Sequence, residues 1–171
     1  MHERKTPSKN SVKYQASDNR AVILFVTICT NGRAPFLANQ EAFDCIVAAF
    51  RQASYWLVGK FVVMPDHIHF FCAPGTWPPY DFHKWMAFLK SAISRSFPWR
   101  RQVDEWNQSK RCGASTRHLF QVQCWDTQLR LGDSYGQKWE YVRNNPVRKG
   151  LAAVPDDWPY QGELNVLTWH D

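Results

Sequence analysis

Residues 56–72 read Trp-Leu-Val-Gly-Lys-Phe-Val-Val-Met-Pro-Asp-His-Ile-His-Phe-Phe-Cys, and this stretch decides the class of fold. Two apolar runs, rich in β-branched and aromatic residues, flank the short Met64-Pro65-Asp66 segment, which is typical of a tight turn. We therefore predict an antiparallel hairpin in which residues 56–63 pair with residues 67–72.

The elements before and after this hairpin are of both kinds. Residues 21–30 form a continuous β-branched run, which predicts a central strand that ends at Asn31-Gly32. Apolar residues at helical spacing predict one helix over residues 40–53 and a second over residues 81–97. The hairpin is therefore expected to pair with a further strand and to be covered by helices.

The carboxyl-terminal half of the chain is less regular. Residues 98–117 are polar and basic and are expected to form a loop, and residues 118–123 are expected to form a short strand. A third helix is expected to begin at Asp133 or Ser134, either of which can cap it, and to stop at Pro146, which cannot continue a helix.

The order of these elements predicts an α+β fold, an antiparallel sheet with helices packed on one face, ferredoxin-like in outline. We expect residues 1–20 to form a flexible basic arm. Residues 21–171 are expected to form a single domain that ends in an extended tail docked on the surface.

The composition is that of a packed, basic globular protein. The chain has 171 residues, of which 44% are hydrophobic and 15% are aromatic, enough to bury a core. A formal charge of +6 and a pI near 9.2 favour a polyanionic partner, and some of the nine tryptophans can stack on unpaired bases if they lie on the surface. Five cysteines without a CxxC pair favour reduced thiols in the cytosol, and no apolar run has the length of a membrane span.

A histidine pair is the first candidate site. His67 and His69 lie two residues apart on the predicted strand, so their side chains project from the same face and that of Ile68 from the other. Two neutral imidazoles side by side supply half of a divalent-metal site. Tyr141 and Asn145, one helical turn apart on the predicted third helix, are candidates for the other groups of the site.

The predicted third helix has a packing face and a polar face. Tyr141 lies off the packing stripe, with Lys138 and Asn145 beside it. The packing stripe consists of Tyr135, Trp139 and Val142, and core packing is the better interpretation of it. Tyr141 is either a reactive residue or a half-exposed surface tyrosine. A metal, a tyrosine and a basic surface together indicate a DNA-strand nuclease.

Three segments carry a resemblance to a known family: residues 63–69, residues 139–151 and Asp157-Trp158-Pro159-Tyr160. In their order and their residues they resemble the REP-associated tyrosine transposases, which belong to the single-tyrosine HUH transposases (HUH denotes His-hydrophobic-His). The resemblance runs from about residue 21 to residue 158. Thr127 departs from it, because many relatives carry a histidine there.

The resemblance implies an HUH nuclease fold and a role for each candidate. His67 and His69 would bind the metal, Asn145 would be the third protein ligand, and Tyr141 would be the nucleophile. Imidazole, amide and water ligands suit Mg²⁺ or Mn²⁺. Attack by Tyr141 would give a 5′-phosphotyrosine and a free 3′-hydroxyl, and a second 3′-hydroxyl could then rejoin the strands without ATP.

The resemblance also implies the partner, which is single-stranded DNA with a hairpin and a short tetranucleotide beside it. We expect a bacterial protein of the cytoplasm that associates with the nucleoid through DNA, acts as a monomer or homodimer and has no membrane partner. Lys138 is also a candidate to favour the phenolate of Tyr141. The candidate phosphate contacts are Lys84, Arg95, Arg100, Arg101, Lys110, Arg111, Arg117 and Lys138.

Three alternatives compete with this interpretation. A domesticated relative would recognise hairpins without cutting them, although the full set of candidate residues argues against decay. A rolling-circle or relaxase-type initiator uses the same histidine triplet but usually carries more domains than 171 residues allow. A histidine-triad nucleotide hydrolase needs a third alternating histidine, and position 71 is Phe71.

Overall fold

The computed structural model describes residues 22–110, 118–129 and 135–167, the last four residues of the first range by their backbone alone. The described residues form one five-stranded sheet in the order β4-β1-β3-β2-β5, and every neighbouring pair is antiparallel. The strands are β1 (Leu24–Cys29), β2 (Trp56–Met64), β3 (His67–Pro74), β4 (Trp125–Gln128) and β5 (Gln161–Glu163). The predicted hairpin is confirmed as β2 and β3, with Met64 opposite His67.

Helices separate several of the strands. Asn39 caps the first helix, because its side chain accepts a hydrogen bond from the Ala42 amide at 3.0 Å. Asp81 caps the second helix in the same way, because its side chain accepts a hydrogen bond from the Lys84 amide at 2.8 Å. The helices are α1 (Gln40–Gln52), α2 (Phe82–Ser96), α3 (Trp99–Lys110), α4 (Tyr135–Arg143) and α5 (Asn145–Arg148).

The sheet buries a different set of side chains on each face. Val26 and Phe70 project to the face covered by α1 and α2, and they belong to the larger core together with Trp85 and Leu89. The opposite face carries a smaller core around Val62, Met64, Phe71 and Val142. Alternation along each strand therefore separates a structural face from the face that carries His67 and His69.

The predicted α+β class is confirmed, and the arrangement of helices differs from the prediction in one respect. Helices α1 and α2 pack on a single face as expected, but α4 packs on the opposite one, where Val142 is fully buried in the smaller core. The packing stripe on this helix showed that it covers apolar surface, but a stripe does not specify which face of a sheet it covers.

The predicted loop over residues 98–117 is wrong for its first part, which forms α3. Trp99 is 1% exposed and Val103 5% exposed, and the half-buried Trp106 contacts the same core. Their spacing places these three side chains on one face of a helix, and the many charged residues between them concealed that periodicity. Residues 111–117 lie outside the described part of the chain.

The predictions for the last two strands also need correction. Residues 118–123 contribute only a bridge from Phe120 to Thr30, and the strand is β4, a few residues later. The expected extended tail is docked through the buried Trp158, whose indole donates to the Val63 carbonyl at 3.0 Å, but it then forms β5 at the sheet edge. Both differences are decided by backbone pairing, which side-chain patterns reveal poorly in such short segments.

Two predictions concern residues whose structure is only partly described. The arm at residues 1–20 and the caps Asp133 and Ser134 lie outside the described ranges.

None of the helices in the described ranges is long and apolar enough to cross a membrane. Cys29, Cys45, Cys72 and Cys124 are free thiols.

Candidate metal and nucleophile site

The turn between β2 and β3 is anchored on both sides. The Thr30 amide donates to the Asp66 carbonyl at 3.0 Å, and the Leu37 amide donates to the Pro65 carbonyl at 2.9 Å. The register of β1 and β3 then places Cys29 opposite His67. The histidines thus project from the start of a central strand whose position is fixed by its neighbours.

His67 and His69 converge as the strand alternation predicted. Their Nε2 atoms are 3.1 Å apart, and the two rings are nearly perpendicular, with centroids 4.6 Å apart. His67 is 8% exposed and His69 is half-buried. The two nitrogen atoms best suited to bind a cation therefore face a common point.

Hydrogen bonds at the far nitrogen of each ring hold this arrangement. Asp66 Oδ1 lies 2.6 Å from His67 Nδ1, and Arg33 Nε lies 2.8 Å from Asp66 Oδ2. On the second ring, Thr27 Oγ1 lies 2.8 Å from His69 Nδ1. Partners of this kind orient metal-binding histidines, because an occupied Nδ1 leaves Nε2 as the ligand atom.

The surroundings favour a carboxylate at Asp66. Its partial burial alone would raise its pKa, but the hydrogen bond and charge of His67 and the charge of Arg33 outweigh burial, so the pKa of Asp66 is lowered. An ionised carboxylate is the form that accepts both of these contacts.

The surroundings of His69 favour the neutral imidazole that binds metals. Burial is the main reason that the pKa of His69 lies well below its usual range, and the positive charges of His67, Arg33, Lys138 and Arg148 add to this effect. The same charges make the neighbourhood attractive to an anion such as a phosphodiester.

The donor set fits a small divalent ion. Two ligand atoms about 2.0–2.1 Å from one ion and at right angles to each other are about 3.0 Å apart, which matches the Nε2 separation of 3.1 Å. Among the described residues no cluster of three His, Cys, Asp or Glu side chains is suited to a metal. Two imidazoles together with an amide oxygen and water would be a donor set that suits Mg²⁺ or Mn²⁺.

Helix α4 docks through the stripe that its sequence predicted. Val142 is fully buried, and Tyr135 and Trp139 pack against the same smaller core. The ring of Tyr135 meets that of Phe71 at 4.8 Å, and burial raises the pKa of Tyr135 to about 12. Tyr135 therefore acts as a packing residue and is poorly suited to be a nucleophile.

Tyr141 lies on the same side of the sheet as the histidine pair. A series of contacts connects them: the His69 ring stacks on Phe25 at 5.5 Å, and Lys138 Nζ lies 5.0 Å from the Phe25 ring and 5.9 Å from the Tyr141 ring. Tyr141 is 55% exposed. The structure thus presents an accessible phenol on the same face of the sheet as the imidazole pair.

An interruption of the helix separates Tyr141 from Asn145. Helix α4 ends at Arg143, and the short α5 begins at Asn145, because Pro146 has no amide hydrogen to continue the first helix. The predicted single helix up to Pro146 is therefore two helices. Gly150, at φ +68°, ends α5. Its amide donates to the Val147 carbonyl, and the Leu151 amide donates to the Pro146 carbonyl.

Arg148 joins the two candidates across this break. Its Nη2 donates to the Tyr141 carbonyl at 2.8 Å and to Asn145 Oδ1, and its Cζ lies 4.2 Å from the centre of the Tyr141 ring. A cation this close to an aromatic face is attracted to it. In this structure the amide oxygen of Asn145 is therefore engaged by a guanidinium.

The candidate phosphate contacts fall into three groups. Lys84, Arg95, Arg100 and Arg101 are exposed on α2 and α3, and Lys138 is half-buried beside Tyr141. The side chain of Lys110 is not described, and Arg111 and Arg117 lie outside the described ranges.

Four residues of the site did not emerge from the sequence. Asp66 could have been found, since it directly precedes His67, and Arg148 lies in a segment already singled out. Thr27 and Arg33 become partners of the site only through the register of β1 and β3 and the turn that follows β1.

Fold and site together define an α+β protein with a His-hydrophobic-His pair on a central strand and an exposed tyrosine on a neighbouring helix. Such a protein is similar to known transposases. A Haemophilus influenzae protein named "Putative REP-associated tyrosine transposase" is 26% identical over 99 residues, which are 57% of this chain and 53% of that protein. The chain thus matches about half the length of this curated relative, and the predicted resemblance is confirmed.

One solved structure shows the shared fold. A REP-associated tyrosine transposase bound to a REP hairpin superimposes with a TM-score of 0.59 at 19% identity, over 87% of this chain and 81% of that chain. A "putative transposase from Deinococcus radiodurans R1" has a TM-score of 0.48 at 16% identity, over 77% of this chain and 95% of that chain. No family model matches the chain.

Proposed function

We propose that the protein is a metal-dependent endonuclease and transposase that cleaves and rejoins hairpin-bearing single-stranded DNA through a 5′-phosphotyrosine. The observation that carries this proposal is the convergence of two imidazole Nε2 atoms, 3.1 Å apart, on the sheet face that also carries Tyr141. Similarity to named transposases, one of them bound to a REP hairpin, and the charge of +6 support a DNA substrate.

Three side chains would hold the metal: His67 and His69 through Nε2 and Asn145 through Oδ1. Bound Mg²⁺ or Mn²⁺ would polarise the scissile phosphate and offset its developing charge. Asp66 and Thr27 keep the two rings in position from behind, so little reorganisation is needed when the ion enters.

Tyr141 supplies the nucleophile. Its phenolic oxygen forms a bond to phosphorus, the bond from phosphorus to the 3′-oxygen breaks, the phenol proton passes to water, and the released 3′-oxygen takes up a proton. Lys138 Nζ and Arg148 Cζ lie 5.9 and 4.2 Å from the centre of the Tyr141 ring, and their positive charges would stabilise the negative charge that develops in the reaction. The products are a 5′-phosphotyrosine and a free 3′-hydroxyl, and attack by another 3′-hydroxyl reverses the step and joins strands.

Two other functions would use the same fold. A non-catalytic hairpin-binding protein needs no exposed tyrosine beside paired imidazoles, so the geometry favours the enzyme. A rolling-circle or relaxase-type initiator would use the same groups, and it differs by the DNA it recognises. The exposed Tyr141 and the ordered imidazole pair therefore support nuclease chemistry more strongly than they support one substrate.

The proposal is tested by incubating end-labelled stem-loop DNA with single-stranded flanks, the protein and Mn²⁺ or Mg²⁺, followed by denaturing gels. We expect the 5′ fragment to be released with a free 3′-hydroxyl and the 3′ fragment to stay attached to the protein through its 5′-phosphate until proteolysis. Tight stem-loop binding without cleavage under either metal would favour the binding protein, and cleavage of unstructured strands alone would favour an initiator-type nuclease.

Arg148 is expected to position the nucleophile and the amide ligand. In Arg148→Lys the charge remains but the planar fork that reaches Tyr141 and Asn145 is lost. We expect the single-turnover cleavage rate to fall by about 10- to 100-fold, because small displacements of reacting groups are costly. Stem-loop affinity in EDTA should change little.

The matched control is Lys149→Ala, which removes the neighbouring exposed charge. It should leave the cleavage rate close to that of the unmodified protein. Equal losses of affinity and rate in Arg148→Lys would show that Arg148 contributes only to binding.

A further inference from the structure

Arg33 reaches the histidine pair from an unusual backbone conformation. The turn after β1 contains Gly32 at φ +63° and Arg33 at φ +57°, and among the described residues Arg33 is the one residue other than glycine with a positive φ. This left-handed region is unfavourable for a residue that carries a side chain. Contacts made by the Arg33 side chain therefore have to offset the cost of its backbone.

Three contacts hold the guanidinium of Arg33 against the start of β3. Its Nε donates to Asp66 Oδ2 at 2.8 Å, and its Nη1 donates to Cys29 Sγ at 2.7 Å. Its Nη2 lies 3.5 Å from His67 Nδ1. Because Cys29 and His67 are opposite each other in the sheet, the side chain folds back over the ends of β1 and β3, although about half of it stays exposed.

The backbone of Asp66 is fixed independently of Arg33. The amide and the hydroxyl of Thr30 both donate to the Asp66 carbonyl at 3.0 Å, and Thr30 is fully buried. The side chain of Asp66 can still rotate. Its contacts with Arg33 and His67 therefore decide where its two carboxylate oxygens lie.

The two histidines are held by different kinds of partner. His69 Nδ1 lies against the neutral hydroxyl of Thr27, whereas His67 Nδ1 lies against the Asp66 carboxylate. A carboxylate with one unbonded oxygen is attracted to water or to a cation, and it then turns away from a neighbouring ring. Arg33 occupies that second oxygen, Oδ2, so the first one stays on His67.

We propose that Arg33 is a positioning residue of the metal site: it holds Asp66 Oδ2, which keeps Oδ1 on His67 Nδ1 and leaves His67 Nε2 aimed at the ion. The inference rests on the proposed function, because it assigns a part in binding the same metal ion. Arg33 does not touch the ion and acts through Asp66 and His67. A positive charge beside a cation site thereby strengthens the binding of the cation.

This role and a simple effect of charge predict opposite results. A guanidinium near the site repels a divalent cation, so its removal would tighten the binding of Mn²⁺ if only its charge mattered. If Arg33 positions His67, the same removal weakens binding, because a misplaced ligand outweighs the repulsion that is relieved. The sign of the change in affinity therefore separates the two effects.

The test uses Arg33→Asn and Arg33→Lys in the full chain. Asparagine tolerates a positive φ, so the turn keeps its backbone, and lysine keeps the charge without the planar fork. The control is Arg51→Gln, which removes an exposed charge from the last turn of α1. Isothermal titration calorimetry measures Mn²⁺ affinity. Proton–nitrogen NMR correlation spectra of the metal-free protein report which nitrogen of each imidazole carries the proton.

We expect Arg33→Asn to lose about 10-fold in Mn²⁺ affinity, and Arg33→Lys to lose less, because its ammonium can still reach Asp66. Arg51→Gln should bind Mn²⁺ as the unmodified protein does. In Arg33→Asn the proton of neutral His67 should shift from Nδ1 toward Nε2, while His69 keeps its protonation pattern.

Unchanged or tighter Mn²⁺ binding in Arg33→Asn would overturn the positioning role. Weaker binding with no change at His67, or with equal changes at both histidines, would also overturn it, because a general loss of structure affects both rings. An unmodified protein that binds no Mn²⁺ would instead overturn the metal dependence of the proposed function.

Discussion

Replacing Tyr141 by phenylalanine is expected to abolish strand cleavage, with a rate loss on the order of 10⁴-fold or more. The substitution removes only the oxygen that would bond to phosphorus. The ring keeps its contacts with Lys138 and Arg148, since both cations lie over the ring and neither contact needs the hydroxyl. Stem-loop binding and the thermal midpoint should therefore remain close to those of the unmodified protein, and quantitative denaturing gels measure the loss.

The matched control is Tyr135→Phe on the same helix. The Tyr135 hydroxyl lies 3.5 Å from the Lys60 amide, and its ring packs on Phe71, so its loss should affect stability slightly and leave cleavage intact. Cleavage that survives in Tyr141→Phe would place the nucleophile elsewhere. Cleavage lost in both variants to the same degree would indicate a structural effect of α4.

Replacing either histidine of the pair is the second large effect. In His67→Ala and His69→Ala one of two imidazole ligands is missing, so Mn²⁺ affinity should fall by about 100-fold or more, and cleavage should fall with it. Isothermal titration calorimetry with Mn²⁺ reports the affinity, and the cleavage gel reports the consequence. Adding EDTA to the unmodified protein should stop cleavage while binding of the stem-loop persists.

An exposed histidine outside the site supplies the control. His83 lies on α2 and is exposed, so His83→Ala should bind Mn²⁺ as the unmodified protein does. Unchanged Mn²⁺ affinity in His67→Ala and His69→Ala would contradict the metal site. Loss of cleavage with unchanged affinity would mean that the imidazoles act on the substrate directly.

The hairpin of β2 and β3 could be predicted from the sequence because local patterns decide it. Apolar residues occupy both faces of β2, and the turn at Met64-Pro65-Asp66 is short. The period of two also predicted that His67 and His69 share a face, which the 3.1 Å separation of their Nε2 atoms confirms. Both inferences need only residues that are adjacent in the chain.

The elements that the sequence concealed depend on contacts between distant segments. The sequence of α3 predicts a loop because its charged residues outnumber the few that pack, Trp99, Val103 and Trp106. Strand β5 has only three residues, Gln161–Glu163, and exists because its backbone pairs with Lys60, Phe61 and Val62. Side-chain periodicity carries no signal for such a strand.

Some residues of the candidate site can likewise be predicted from local sequence patterns, whereas others join the site only through contacts between distant segments. The ligand pair and Tyr141 lie in segments with recognisable patterns, whereas Thr27 lies 42 positions before His69 and meets it only through strand register. The sequence alone indicates no role for Arg148, because a basic residue after Asn145 resembles any solvated arginine. Its contacts with Tyr141 and Asn145 require the break between α4 and α5, which Pro146 introduces.

The most direct test of the central claim is to trap the protein on labelled stem-loop DNA with Mn²⁺, digest the adduct and locate the attached nucleotide by mass spectrometry. The account predicts a 5′-phosphotyrosine at Tyr141 and no adduct in Tyr141→Phe. A nucleotide attached to another residue, or cleavage that leaves a free 5′-phosphate and no adduct, would contradict it.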